Sequence, residues 1–176
     1  MIDLERARER LAKGDTSAFT EIVDATSAKL VRLSARILGS VSDAEDVVQE
    51  AYVKAYSSLT DGTFDGRSRV DTWLYRIVVN GSIDAKRKRK RTQTDELVDD
   101  PGWGVAASAE SSVALREMAS WLGELPEEQQ TVLVLKAVEG MSSAEIAEVL
   151  QCSEGAVEQR LVRARTTLRE KKREDE

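Results

Sequence analysis

Residues 141–172 constrain the fold of this chain more than any other stretch. They read MSSAEIAEVLQCSEGAVEQRLVRARTTLREKK, two helical patterns broken by a tight turn. Ser142 followed three residues later by Glu145 is a capping-box start, and Ile146, Val149 and Leu150 give the first helix an apolar face. Gln151-Cys152-Ser153 interrupts the period. Ser153 can cap a second helix, whose Val157 and Leu161 then point back at the first. This is helix-turn-helix spacing, in which the second helix can enter a DNA major groove. Arg160, Arg163, Arg165 and Arg169 all lie on that second helix.

Helical periodicity also organises the first half. Asp3–Lys13 reads as a short charged helix stopped by Gly14. Asp15 opens a longer one with Phe19, Ile22, Val23, Leu30, Leu33 and Ile37 on one face, ended by Gly39. Ser42-Asp43-Ala44-Glu45 reads as a second capping box, opening a helix to about Leu59 with Val48, Ala51, Tyr52 and Ala55 inward. Thr60–Arg69, TDGTFDGRSR, is a loop by its glycines and polarity. From Val70 to about Arg91 a further helix turns Trp73, Leu74, Ile77 and Val78 inward.

Beyond residue 92 the sequence reads as an acidic linker, with Trp103 expected to pack on a neighbouring domain. An apolar segment follows, with Val113, Leu115, Met118, Trp121 and Leu122. Leu125-Pro126-Glu127-Glu128 then restarts a helix, proline in its first turn, that runs to Gly140. The expected fold is all-α: two helical domains at 1–92 and 111–176, joined by a flexible linker at 93–110.

Composition excludes several functions. The 176 residues are 41% hydrophobic and 33% charged, which suits a helix-rich globular chain and not a disordered one. A single cysteine precludes an internal disulfide, and the absence of histidine removes the commonest metal ligand and acid–base catalyst. No enzymatic activity and no cofactor or metal is expected. The N-terminal MIDLERARER lacks a signal peptide's apolar core, so a cytoplasmic protein is expected.

The net charge of −6 is unusual for a DNA binder, but its distribution is not. Arg76 and the run Lys86 to Arg91 form one basic stripe against Asp84. Seven Lys or Arg between Ala156 and Arg173, against Glu158 and Glu170, form a second. Such stripes supply salt-sensitive phosphate affinity. The alternative is that each only complements its helix dipole.

Asp43-Ala44-Glu45-Asp46-Val47-Val48-Gln49-Glu50-Ala51-Tyr52-Val53-Lys54-Ala55-Tyr56, then Thr72-Trp73-Leu74-Tyr75-Arg76-Ile77-Val78-Val79-Asn80, then Leu125-Pro126-Glu127 with the Gly155–Arg165 helix form three ordered blocks. Together the chain resembles the bacterial extracytoplasmic-function (group IV) sigma factors, promoter-recognition subunits of RNA polymerase. The resemblance implies binding to core polymerase, reading of −10 and −35 promoter elements, assistance in promoter opening, and stress-responsive control by an anti-sigma partner that clamps the two domains together. Such a partner could also hold the chain at the membrane. Two departures stand out. The family usually has an aromatic residue at the position of Val70, and often a basic one at that of Glu158.

The resemblance implies that the 43–56 helix grips the beta-prime clamp coiled coil, with the beta flap as a further polymerase contact. The candidate docking residues are Asp43, Asp46, Val47, Gln49, Glu50 and Val53. Asp46, Gln49, Glu50 and Val53 share one helical face, an acidic rim around an apolar centre. Dipole complementation accounts equally well for Asp43. The resemblance further implies that the Phe64, Gly66, Arg67, Ser68 and Arg69 loop holds a flipped −10 base. An aromatic among small residues can do this, although Phe64 could instead plug the domain core.

Arg76, Asn80 and Asp84 recur at four-residue spacing on one polar face, with Lys86 and Arg87 beyond them as further −10 contacts. On the last helix, Glu154, Glu158, Gln159 and Val162 are candidates for −35 base edges, and Arg160, Arg163 and Arg165 for phosphates. Glu158 could instead pair with Arg165. Cys152 is expected to be a packing residue. Two other classes compete: a dimeric helix-turn-helix repressor, which leaves 43–80 unexplained, and a sigma-like decoy that binds an anti-sigma protein, which leaves the basic stripes unexplained.

Overall fold

The structure, a computed structural model, describes residues 2–92 and 120–174. The linker, Trp103, Val113, Leu115 and Met118 lie outside the described residues. Among those described there is no strand. The helices are α1 (Leu4–Ala12), α2 (Ser17–Leu38), α3 (Val41–Thr60), α4 (Val70–Thr92), α5 (Glu127–Leu133), α6 (Ser143–Leu150) and α7 (Glu154–Glu174). Residues 120–123 are helical and precede α5, and a π-helical turn, Val134–Val138, extends it.

Local chemistry sets most boundaries. The Asp3 carboxylate accepts from the Glu5 and Arg6 amides at 3.1 and 3.2 Å, capping α1. Helix α2 ends at Gly39, which takes a left-handed φ of 77°. Ser40 follows in extended conformation, and its hydroxyl accepts from the Asp43 amide at 3.2 Å. This corrects the expected capping box at Ser42. Both serines have an acid three residues on, but only Ser40 still has the extended backbone an N-cap needs. Pro126 is likewise extended (φ −52°, ψ 139°), so it precedes α5 and does not sit in its first turn.

Helices α1–α4 enclose a core of Ile22, Leu30, Val48, Ala55, Leu59, Val70, Leu74 and Val78. Each large aliphatic side chain so buried contributes about 1.5–3 kcal/mol. The α4 N-terminus is capped from a distance, by the Glu5 carboxylate of α1 accepting from the Val70 amide at 2.8 Å. Gly81 lets α4 approach α3 closely, since a Cβ there would lie 3.2 Å from Val47 Cγ1.

A second core crosses between the two halves of the chain. Leu33 and Ile37 of α2 and Val79 of α4 join Val132, Leu135, Ile146, Val149, Val157 and Leu161 in one buried cluster. The halves therefore close directly on each other along a seam, with α6 packed against α4. The seam has a polar border. Arg36 of α2 donates to Glu139 at 2.5 Å, Arg87 to Glu127 at 2.9 Å, and Lys86 to the Ile37 carbonyl at 3.1 Å and to Gln130.

Candidate nucleic-acid and partner interfaces

On α3, Asp46, Gln49, Glu50 and Val53 are all exposed along one side, Val53 by 71%. Tyr56, three residues further on, is also exposed and widens the apolar centre of this face. The sequence reading left it out, although its i+3 spacing from Val53 is the signal that finds it. Val47 faces α4 and packs beside Leu38 and Ala44. Asp43 is half-buried and pairs with Arg89 of α4 at 3.3 Å. Asp43, Asp46, Val47 and Glu50 also share a groove with Asp84 and Arg89, so the acidic face adjoins the basic end of α4.

In the loop before α4, Phe64 lies on Trp73, ring centroids 4.7 Å apart, with the Arg8 guanidinium 5.8 Å from its ring. In this arrangement it plugs the core. Asp65, Gly66 and Arg67 form a tight turn. Gly66 has a φ of 67°, and the Arg67 amide donates to the Asp65 carboxylate at 3.1 Å. This leaves the Arg67 side chain 88% exposed. Ser68 is half-buried, and the Arg69 fork reaches Asp71 at 3.2 and 3.3 Å. Burial raises the Asp71 carboxyl, but the Arg69 guanidinium and the Thr72 amide outweigh it and hold the group below its usual value.

Along α4, Asn80 and Asp84 are exposed and Arg76 is half-exposed. Arg87 is also exposed and reaches across the seam to Glu127, whereas Lys86 turns into the seam. Burial there pulls the Lys86 ammonium down to about 8.

The helix-turn-helix forms as its sequence predicts. Ser142 and Glu145 make a reciprocal capping box, and Ser153 accepts from the Ala156 amide at 3.2 Å. The turn passes through Gln151, left-handed at φ 51°. Val157, Leu161 and Ala164 are buried, which leaves Glu154, Glu158, Gln159, Val162, Arg163 and Arg165 on the exposed side of α7. Arg160 is drawn inward, donating to Glu128 at 2.9 Å and to Cys152 Sγ at 3.3 Å. Glu158 accepts from the Ser143 hydroxyl of α6, a partner the sequence reading did not name. No cluster of His, Cys, Asp or Glu among the described residues could hold a metal ion. Nor is any helix among them long and apolar enough to cross a membrane.

Two family models match: Sigma-70 region 2 over residues 22–92, and Sigma-70, region 4, over residues 115–168. The chain is 34% identical to the ECF RNA polymerase sigma factor SigW of Bacillus subtilis, covering 97% of both chains. It is 32% identical to the ECF RNA polymerase sigma-E factor of Escherichia coli K12, over 91% of this chain and 89% of that one. Among solved structures it is similar to CnrH in complex with the cytosolic domain of CnrY, with a TM-score of 0.71 and 31% identity, covering 99% of this chain and 100% of that one. The sigma factor RpoE of Bartonella quintana, solved with the anti-sigma factor NepR, shares the fold at a TM-score of 0.67 and 24% identity, covering 90% and 98%.

The bundle α1–α4 and the helix-turn-helix α6–α7 thus define a two-region transcription initiation subunit. The chain belongs to the extracytoplasmic-function sigma factors of the sigma-70 family, which bind core RNA polymerase and direct promoter-specific transcription initiation.

Proposed function

We propose that residues 1–92 dock on core polymerase and engage the −10 element, that 111–176 read the −35 element, and that 93–110 span the distance between them. The observation that carries this reading is the division of exposed surface. One face of α3 presents Asp46, Gln49, Glu50 and Val53, with Lys54 the single basic residue of the helix, while base-edge and phosphate candidates lie on α4 and α7. Acidic and apolar character suits a protein partner, and the basic helices suit DNA.

In this reading Asp43 and Val47 support the docking face from its rim, with the beta-prime clamp coiled coil as its partner and the beta flap as a second polymerase contact. Gly66, Arg67, Ser68 and Arg69 with Arg76, Asn80, Asp84, Lys86 and Arg87 line the −10 path. Phe64 serves there only by leaving Trp73. Glu154, Glu158, Gln159 and Val162 face −35 base edges, while Arg160, Arg163 and Arg165 reach phosphates. The chain contributes specificity and no catalysis, and it acts in the cytoplasm beside polymerase. Control by an anti-sigma partner is part of this reading, supported by the bound state in which the structural relative CnrH was solved, in complex with the cytosolic domain of CnrY.

Run-off transcription with core polymerase and fragmented genomic DNA tests the reading. New start sites that depend on the chain are expected. Binding of a palindromic duplex by the chain alone, with no new start site, would establish a free-standing repressor instead.

A further inference from the structure

We propose that the adjacent carboxylates Glu127 and Glu128, at the start of α5, are internal stand-ins for DNA phosphate, and that Glu127 in this role closes the chain on itself. The inference rests on the assignment of Arg87 and Arg160 to DNA contact made above. Glu127 takes Arg87 of the first basic stripe at 2.9 Å, across the seam. Glu128 takes Arg160 of the second at 2.9 Å, within the back half. One turn of helix thus occupies an arginine from each DNA-binding surface.

The seam fixes this arrangement. Glu127 is 19% exposed against 49% for Arg87, so the carboxylate is the buried member of the pair. One turn on, Gln130 is 1% exposed and accepts from Lys86. On the opposite side Glu139, 6% exposed, pairs with Arg36. Leu33, Ile37 and Val79 lie buried between these two borders, against Val132 and Leu135. A phosphate at Arg87 competes with Glu127 for the guanidinium, and displacing the carboxylate works against the whole seam. DNA binding at the basic end of α4 and closure of the chain are therefore competing, linked equilibria, each weakening the other by the same factor.

The test uses Arg36→Gln in the full chain, because the substitution lies outside the DNA-contact residues and strands Glu139 at the seam. It also removes a positive charge. Simple electrostatics therefore predicts weaker DNA binding, whereas release of the seam predicts stronger binding. A fluorescein-labelled single-stranded oligonucleotide of mixed sequence, titrated at fixed salt, reports affinity. Small-angle scattering reports opening and circular dichroism reports helicity.

The expected result is native helicity, a larger radius of gyration and binding about fivefold tighter or more. Unchanged or weaker binding with native helicity overturns the proposal. A second chain carrying Arg36→Cys, Glu139→Cys and Cys152→Ser, joined by a short bis-maleimide, is independent of how Arg36→Gln folds. Its cross-linked form should bind the oligonucleotide more weakly than its uncross-linked form, and equal binding overturns the proposal. Run-off transcription by the unmodified chain decides the functional reading separately, since a sigma factor without this clasp still directs new start sites.

Discussion

Ser34 of α2 and Ser82 of α4 face each other with hydroxyl oxygens 2.8 Å apart, both fully buried. The Ser82 hydroxyl donates to the Val78 carbonyl at 2.7 Å, so its single proton is committed and Ser34 must be the donor between them. Without that bond, two polar groups would be desolvated where α2 crosses α4. Ser34→Ala should cost about 1 kcal/mol and Ser82→Ala somewhat more, because the latter strands a buried donor. The double variant should cost less than the sum, since the second substitution removes a group already unpaired. Urea denaturation of all four proteins checks this, and strictly additive losses would show that the two hydroxyls act independently.

The Lys86 ammonium sets a pH dependence on closure. Burial between α2, α4 and α5 lowers it from 10.5 to about 8; Glu127 opposes the shift, and Arg89 and Lys90 add to it. A cation with a lowered pKa disfavours the state that buries it. Between about pH 8 and 10.5 the open or unfolded chain therefore holds a proton that the closed chain lacks. The seam is thus weakest below pH 8 and strengthens as pH rises through that window. The thermal midpoint of the native chain should rise relative to that of Lys86→Met between those limits. Parallel curves for the two proteins would remove Lys86 as the cause.

Much of this architecture was legible in the sequence, wherever short-range chemistry decides it. The capping box of Ser142 and Glu145, the Ser153 cap and the inward Val157 and Leu161 depend on neighbours within a turn or two. The closed seam was not legible. Leu33 and Ile37 continue the apolar stripe that carries Ile22 and Leu30, and periodicity does not say which partner covers each residue. The cap on α4 escaped for a similar reason, because Glu5 is 65 residues from Val70. The start of α3 was misplaced because Ser40 and Ser42 carry the same signature and only the end of α2 chooses between them.

The proposed docking face on α3 allows folding and docking to be tested separately. Glu50 is exposed, so reversing its charge disturbs no core contact. Glu50→Lys should keep stability within about 0.5 kcal/mol of the native chain. It should weaken binding to core polymerase by about tenfold or more, as loss of a docking charge does. Fluorescence titration against purified core checks the second expectation and thermal unfolding the first. Full retention of core affinity would move the docking surface off this face.

At the other end, Glu158 is an exposed carboxylate on α7 whose direction is fixed by a neighbour, the Ser143 hydroxyl of α6. A carboxylate held against the front of α6 and facing outward from α7 can accept from a cytosine amino group, but it repels phosphate. Its effect should therefore appear in sequence choice and not in general affinity. Glu158→Arg is expected to change which −35 sequences are used on a randomised promoter library, with core binding unchanged. Ser143→Ala, which frees the carboxylate but keeps it, should broaden preference at the same base pair by a smaller amount. Uniform loss across all −35 sequences, together with weakened core binding, would instead mean that Glu158 supports the fold of the helix-turn-helix and reads nothing.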